Sequence, residues 1–346
     1  MKTAKLGEIV RQKDPEYKRI VEHLAESQVY AAVAGLERQG RIHEITNPGE
    51  RIAAIAREYA RSSDNTQVVS PDNRSRAEIN QAIRAELQAK GVVSREEHRT
   101  QILVPRQDLT GADRLWAARY NEGDVLRYSR TSKETGIGKG EYARVVRIDV
   151  ANNQLTVARK DGTELSYDPR RQQGVSVYRE QERAFSVGDR VQLTAPVSDL
   201  KLVNRDLGTV ERIDQDGRMS LKVDNGRTVE IDPANHPHLD HGYAVTSHIC
   251  QSLTADKVLV HVDTELAAKD LINNRMAYVA ISRGAYEVQI FTNDLQQLAT
   301  ALGRDVSHES ALAPAHVPEV KQEPAIAPQI EKVPELEITQ DSGLEL

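Results

Sequence analysis

The sequence predicts an α/β protein in which a parallel-sheet domain is interrupted by an all-β insertion and followed by a disordered tail. Three observations predict it. Helical and strand patterns alternate over residues 1–104 and again over 238–303, as expected of a sheet covered by helices on its faces. Between Gly123 and Pro233 the period drops to two, and the pattern occurs twice. The last 35 residues hold five of the thirteen prolines, spaced glutamates and no aromatic residue, a composition that buries too little apolar surface to fold. At 346 residues the chain exceeds the usual size of one core, which agrees with more than one folded unit.

In chain order, Asp14-Pro15 opens a helical stretch that runs to Gln39 and ends at Gly40, and RIHEI (41–45) follows as a short strand. Asn47-Pro48 starts a second helix to about Arg61, QVVS (67–70) reads as a buried strand, and Asp72 or Asn73 caps a helix through Lys90 that stops at Gly91. A linker is expected over 105–122. Within the insertion, GDVLRY (123–128) matches GDRVQL (188–193), ARVVRID (143–149) matches GTVERID (208–214), and DGTELSYDP (161–169) matches NGRTVEIDP (225–233), always 64 or 65 residues apart. Each copy is expected to form a small barrel of about five strands, with Asp161-Gly162 and Asn225-Gly226 as hairpin turns. The α/β pattern then resumes with strands at 243–246, 258–262 and 288–291 and helices at about 270–282 and 294–303. The predicted organisation is 1–104 with 238–303 for the interrupted domain, 123–233 for the insertion and 312–346 for the tail.

The formal charge of −6 excludes less than it suggests. From Leu312 onward seven acids face two lysines, which leaves only −1 on residues 1–311. A nearly neutral body neither requires nor forbids a basic groove, because binding depends on where the charges sit. No apolar run approaches the roughly 18 residues that cross a bilayer, and the N-terminus turns charged within a few residues, unlike a secretory signal. A cytoplasmic protein without membrane contact is predicted. The single cysteine, Cys250, excludes an intrachain disulfide and a multi-cysteine zinc site.

GIGKG (136–140) invites a phosphate-loop reading, but that loop needs Ser or Thr after the lysine to reach magnesium, and Gly140 stands there. The segment reads instead as a turn between strands, and a single-chain nucleotide hydrolase is disfavoured. His236, His238, His241 and His248 are spaced irregularly and lack a cysteine partner, a poor ligand set for zinc. Cys250 has no base nearby and reads as a small buried residue. No metal site is predicted.

The most specific signal lies in three segments taken in order: EIVRQ (8–12), DHGYAVTSHICQSLTADKVLV (240–260) and NNRMAYVAISRGAYEVQIFT (273–292). With VVSPDNRSRAEINQAIR (68–84) and YDPRRQQGVSVYRE (167–180), they resemble superfamily-1, RecD-like DNA helicases of the five-to-three-prime type, over roughly residues 6–310. The resemblance is specifically to the helicase part of conjugative relaxase-helicases of the MobF type. It implies a RecA-like domain interrupted by two small SH3-like β barrels. In that family two RecA-like domains clamp ATP, and the second senses the terminal phosphate. The resemblance makes Arg283 of AISRG the arginine finger and Arg11 a second phosphate contact, with Gln12 and Gln251 beside the nucleotide. An always-charged, bidentate guanidinium suits charge developing on a phosphate. Thr246, Ser247, His248 and Thr254 match the loop that couples nucleotide state to single-stranded DNA. Asn73, Arg74 and Asn80 match a segment near the strand-binding face, and Arg170 and Arg171 lie in the insertion, which contacts single-stranded DNA in relatives.

The sequence departs from this pattern in two places. Cys250-Gln251-Ser252 stands where the coupling loop usually reads serine-glutamine-glycine, so the glycine that permits close backbone approach is missing. The chain also begins after the family's third helicase motif, without the phosphate loop, the magnesium-binding acidic motif and the relaxase nuclease domain. The expectation is therefore the second RecA-like domain of a conjugative-transfer relaxase-helicase, inactive as an ATPase by itself, with ATP and magnesium bound only in the complete enzyme. Single-stranded DNA is the expected partner. A truncated gene product and one half of a split protein, completed by a separate polypeptide carrying the relaxase and the first RecA-like domain, both stay open. The alternative is a protein-binding or scaffold module derived from a helicase, favoured by an aromatic content of only 4%.

Overall fold

Asp14 opens α1 (Pro15–Ala25) because its carboxylate accepts from the backbone N–H groups of Glu16 and Tyr17, while Pro15 occupies a position where a missing donor costs nothing. The single helix expected up to Gln39 is in fact two. Ser27 turns the backbone left-handed at φ 60°, and α2 (Val29–Arg38) starts beyond it. A straight helix over the same residues would be roughly 36 Å long, longer than any strand beneath it. The break lets Tyr17, Ile20 and Leu24 share one buried cluster with Val29, Val33 and Leu36. Gly40, at φ 64°, ends α2 as expected, with the Arg41 N–H donating back to Leu36 O. Next come β1 (Ile42–Glu44), α3 (Pro48–Arg61, capped by Asn47), β2 (Thr66–Ser70) and α4 (Asn73–Ala89, capped by Asp72 onto Ser75).

The computed structural model describes residues 11–62, 65–106, 108–132, 134–246 and 255–305. The expected tail at 312–346 lies outside the described residues. All the elements belong to one unit, Met1–Val306. Among the described residues, no helix is long and apolar enough to cross a membrane.

The insertion contributes β3 (His98–Pro105), β4 (Val125–Tyr128), β5 (Tyr142–Asp149), β6 (Gln154–Arg159), β7 (Glu164–Tyr167) and β8 (Val175–Phe185). These are followed by β9 (Arg190–Leu193), β10 (Leu207–Ile213), β11 (Met219–Val223), β12 (Thr228–Ile231) and β13 (Leu239–His241). They form two antiparallel sheets with the same internal order, β8-β4-β5-β6-β7 and β13-β9-β10-β11-β12, with β3 added outside β8. The repeat extends to irregularities. The register shifts between Val145 and Arg147 in β5 and between Val210 and Arg212 in β10, the matching positions of the two copies. Gly162 and Gly226 take φ values of 83° and 88° in the hairpin turns that the Asp-Gly and Asn-Gly pairs predicted. GIGKG is likewise a turn, with Gly136 and Gly140 at φ 66° and 86°.

One expected boundary falls inside a strand, and another parts a strand from the sheet it joins. β3, divided by a boundary at 104, pairs along its whole length with β8, and β13, placed after the insertion by the sequence, pairs with β9. The expected linker at 105–122 sends Leu109, Ala117 and Tyr120 into the buried cluster under β4 and β5.

The chain then returns through β14 (Ala244–Thr246), β15 (Ala255–Val262), α5 (Asn274–Ile281), β16 (Gly284–Thr292) and α6 (Leu295–Leu302). Five strands make a wholly parallel sheet in the order β1-β16-β15-β2-β14. The edge pair β2 and β14 is formed across the insertion, with Val68 opposite Ala244 and Ser70 opposite Thr246. Helices on both faces explain why the central strands read as apolar throughout. Val69, Val260 and Ile290 bury with α1, α2, α5 and α6, whereas Val68, Leu259 and Phe291 bury with α3 and α4.

Candidate functional site

The arginines that the resemblance singled out meet at one turn. α5 ends at Ser282, and the chain passes through Arg283 into β16 at Gly284. Residues 11–17 run alongside this turn and satisfy its carbonyls. Arg11 donates to Ser282 O at 2.9 Å, Gln12 donates through Nε2 to Ser282 O and Gly284 O at 3.0 and 2.8 Å, and the Lys13 N–H donates to Ala285 O at 2.8 Å. The Tyr17 hydroxyl donates to Ile281 O, and burial pushes its ionisation well above the ordinary range. Gly284 is required here, since a Cβ would lie 2.6 Å from Glu287 O and 2.7 Å from the Tyr17 hydroxyl oxygen. Arg283 donates through Nε to Val279 O at 3.0 Å, and both it and Arg11 are half-buried. Gln12 is 6% exposed, and its Oε1 faces no donor among the described residues.

The positions matched to strand binding are arranged differently. Thr246 ends β14 and pairs with Ser70, and Asn73 and Arg74 begin α4 just beyond β2. These three lie at the carboxyl edge of the parallel sheet, whereas Arg283 lies at the edge where β15 and β16 begin. Thr246 is buried, Arg74 is exposed and pairs with Glu78 at 3.1 Å, and Asn73 accepts from Arg76 Nε at 3.3 Å. Asn80 has a structural duty that the sequence reading missed. It is 3% exposed, accepts from the Ala244 N–H at 2.7 Å and donates to His241 O and Ala244 O, so its carboxamide holds the start of β14. Ser247, His248, Gln251 and Thr254 lie outside the described residues.

Arg170 and Arg171 sit in the first β copy, beside a cleft of about 480 Å³ lined by Glu134, Gln154, Ser166, Asp168 and Arg171. Arg170 grips Asp168 through both Nε and Nη2, holding its carboxyl down at about 2, and its guanidinium lies 5.9 Å from the ring of the exposed Trp116. Arg171 donates to Glu134 at 3.1 Å. The histidines of 236–241 diverge: His236 meets Asp199, His238 bonds the Tyr142 hydroxyl at 2.7 Å, and His241 faces Ala184 O at 3.0 Å.

A second polar cluster, not anticipated from the sequence, sits at the carboxyl edge. Arg51 of α3 is 1% exposed and donates to Asp263 at 2.9 Å, to His261 Nε2 at 3.3 Å and to the carbonyls of Ile45 and Thr46. Burial, and then the Arg51 charge, push the His261 pKa from 6.5 to about 4. The unfolded chain therefore takes up this proton below about pH 6.5 and the folded chain only below about pH 4, so stability falls as pH drops through that window. His261→Gln keeps an acceptor for Arg51 but does not titrate. Urea unfolding at about pH 7 and about pH 4.5 should show a shallower loss in this variant than in the natural chain. Equal losses would place the proton uptake elsewhere.

No family model matches the chain. Over 271 residues it is 25% identical to the multifunctional conjugation protein TraI of Escherichia coli strain K12, and 24% identical to a second Escherichia coli TraI. These alignments cover 75% of this chain, which spans about 15% of the length of either relative. Among solved structures, the Pif1 helicase of Candida albicans aligns over 84% of this chain and 56% of its own, at 14% identity and a TM-score of 0.43. Bacteroides Pif1 in complex with ADP-AlF4 aligns over 86% and 54%, at 15% identity and a TM-score of 0.36. The chain is thus similar over three quarters of its length to a segment of a conjugation protein about five times its length.

Proposed function

We propose that the chain is the second RecA-like domain of a conjugative relaxase-helicase, interrupted by two SH3-like β barrels, and that it works in ATP-dependent five-to-three-prime translocation on single-stranded DNA. The observation that carries this reading is the convergence of Arg11 and Gln12, from the start of the chain, on the turn that presents Arg283. In this reading Arg283 and Arg11 contact the terminal phosphate of an ATP held by a first RecA-like domain, which supplies the phosphate loop and the magnesium-binding acid. Guanidinium groups fit that task because they stay charged and offer paired donors. Both side chains are half-buried at this edge. Thr246, Asn73 and Arg74, at the carboxyl edge, take the strand side of the site, and Arg170 and Arg171 extend it onto the insertion. The chain alone is expected not to hydrolyse ATP.

One observation favours the scaffold reading instead. Exposed arginines of the β copies are engaged by carboxylates, Arg99 by Glu182, Arg144 by Glu180 and Arg171 by Glu134, and DNA phosphates would have to compete with these partners. Fluorescence anisotropy with single-stranded oligonucleotides across salt concentrations separates the two. A micromolar or weaker affinity that falls steeply between about 20 and 200 mM salt, with little sequence preference, supports the DNA reading. Arg170→Ala with Arg171→Ala should then weaken binding similarly for all sequences. Binding independent of salt, or none at about 20 mM, supports the scaffold.

A further inference from the structure

The two β copies share a device carried by one repeated aspartate. Asp124 and Asp189 are buried, at 2% and 0% exposure. Each carboxylate accepts a backbone N–H from three residues earlier, Asn121 at 2.9 Å and Ser186 at 2.7 Å, and each backbone carbonyl accepts from the bulged strand of its own copy, from Val145 and Val210. A buried carboxylate of this kind still requires a cation. Each finds an arginine from outside the repeated strands. Arg106 reaches Asp124 at 2.6 Å, and Arg84 reaches both oxygens of Asp189 at 3.0 Å.

The arginines come from different places. Arg106 belongs to the segment leading into the first copy, but Arg84 belongs to α4 of the parallel-sheet domain. Its other nitrogens donate to Glu97 and to Ser186 Oγ, both at 2.7 Å. Asp189 also accepts from the Tyr243 hydroxyl at 2.6 Å, and Tyr243 stands immediately before β14, three residues from Thr246. A second pair of contacts encloses the same joint. Arg76 of α4 and Arg183 of β8 both reach Asp240 of β13 at 3.1 Å.

We propose that Asp189 is a positioning residue, an arginine socket that holds α4, the second β copy and the root of β14 as one body, so that the insertion sets the placement of Thr246. Only the bearing of this joint on DNA rests on the functional reading above. The duplication supplied the socket, and the second copy uses it to attach itself to the sheet.

Hydrogen–deuterium exchange of the whole chain tests this with Asp189→Asn, Arg84→Met, Tyr243→Phe and, as a control, Asp124→Asn. Asp189→Asn and Arg84→Met should raise exchange about tenfold or more in the second half of α4, in β9 and in β14 together. Tyr243→Phe, which removes one oxygen and keeps the ring, should raise it in β14. Asp124→Asn should raise it only in residues 108–128 and β5. Protection of β14 that is unchanged in both Asp189→Asn and Tyr243→Phe would overturn the proposal. If Asp189→Asn fails to fold, Arg84→Met and Tyr243→Phe decide by the same criterion. The expected exchange changes in these variants, together with no binding of single-stranded DNA by the natural chain, would uphold the joint and overturn the functional reading.

Discussion

Replacing Arg51 by alanine is expected to destabilise the fold by roughly 4–5 kcal/mol, near the upper end for a single substitution. The side chain is 1% exposed and supplies donors to four groups at once: Asp263, His261, Ile45 O and Thr46 O. Alanine removes those donors and leaves a cavity under α3. Asp263, at 23% side-chain exposure, can recover some hydration, which keeps the loss from being larger. Arg51→Met fills most of the volume without the donors and should cost less, about 3 kcal/mol. Urea denaturation of both variants gives the comparison. A loss below about 1 kcal/mol for Arg51→Ala would show that the ion pair barely offsets its own desolvation.

Gly284→Val should be nearly as damaging, at roughly 3–4 kcal/mol, and its damage should be centred on the candidate nucleotide edge. The first added carbon already collides with Glu287 O, a backbone atom that cannot swing aside, and with the Tyr17 hydroxyl. Moving Tyr17 releases Ile281 O and shifts residues 11–13, which hold Ser282, Gly284 and Ala285. The expected signs are a lower Tm and faster amide exchange in β16 and α1. Gly49→Ala is the control. Its Cβ would meet only Asn47 Oδ1, at 3.4 Å, so stability should change by no more than about 0.5 kcal/mol. Equal effects at the two glycines would mean that the turn at 281–284 adjusts to a side chain.

Element type was legible wherever a cap and a period agreed. Asp14-Pro15, Asn47-Pro48 and Asp72 each open a helix in the structure, and each carboxylate or carboxamide caps backbone N–H groups. The break at Ser27 was hidden because serine carries no local preference for a left-handed backbone, and only the shared cluster beneath α1 and α2 calls for it. The pairing of β3 with β8 was equally hidden, since local alternation does not name a strand's partner. Arg51, Asn80 and Arg84 could have been found. Arg51 shares a helical face with Ile55 and Tyr59, and Asn80 and Arg84 share one with Ile83 and Leu87, so each is a polar group on an apolar stripe. The meeting of Arg11 with residue 282 had no local signal at all. It followed from the resemblance, because spacing carries no information across 271 positions.

The edge pair of the parallel sheet has a consequence for the order of assembly. Thr246 finds its partner Ser70 across 176 positions of chain, and β14 offers only three residues to the pairing. Closing an unstructured loop of that length for so few hydrogen bonds is unfavourable, and contacts of such separation slow folding. The two β copies, by contrast, are built from neighbouring strands and hairpins that can form early. Once they have formed, β13 lies against β9 and Tyr243 reaches Asp189, so β14 is delivered next to α4 rather than having to search for it. The insertion is then a folding template for the sheet that it interrupts, and a chain lacking it would need a new way to complete the edge at β2.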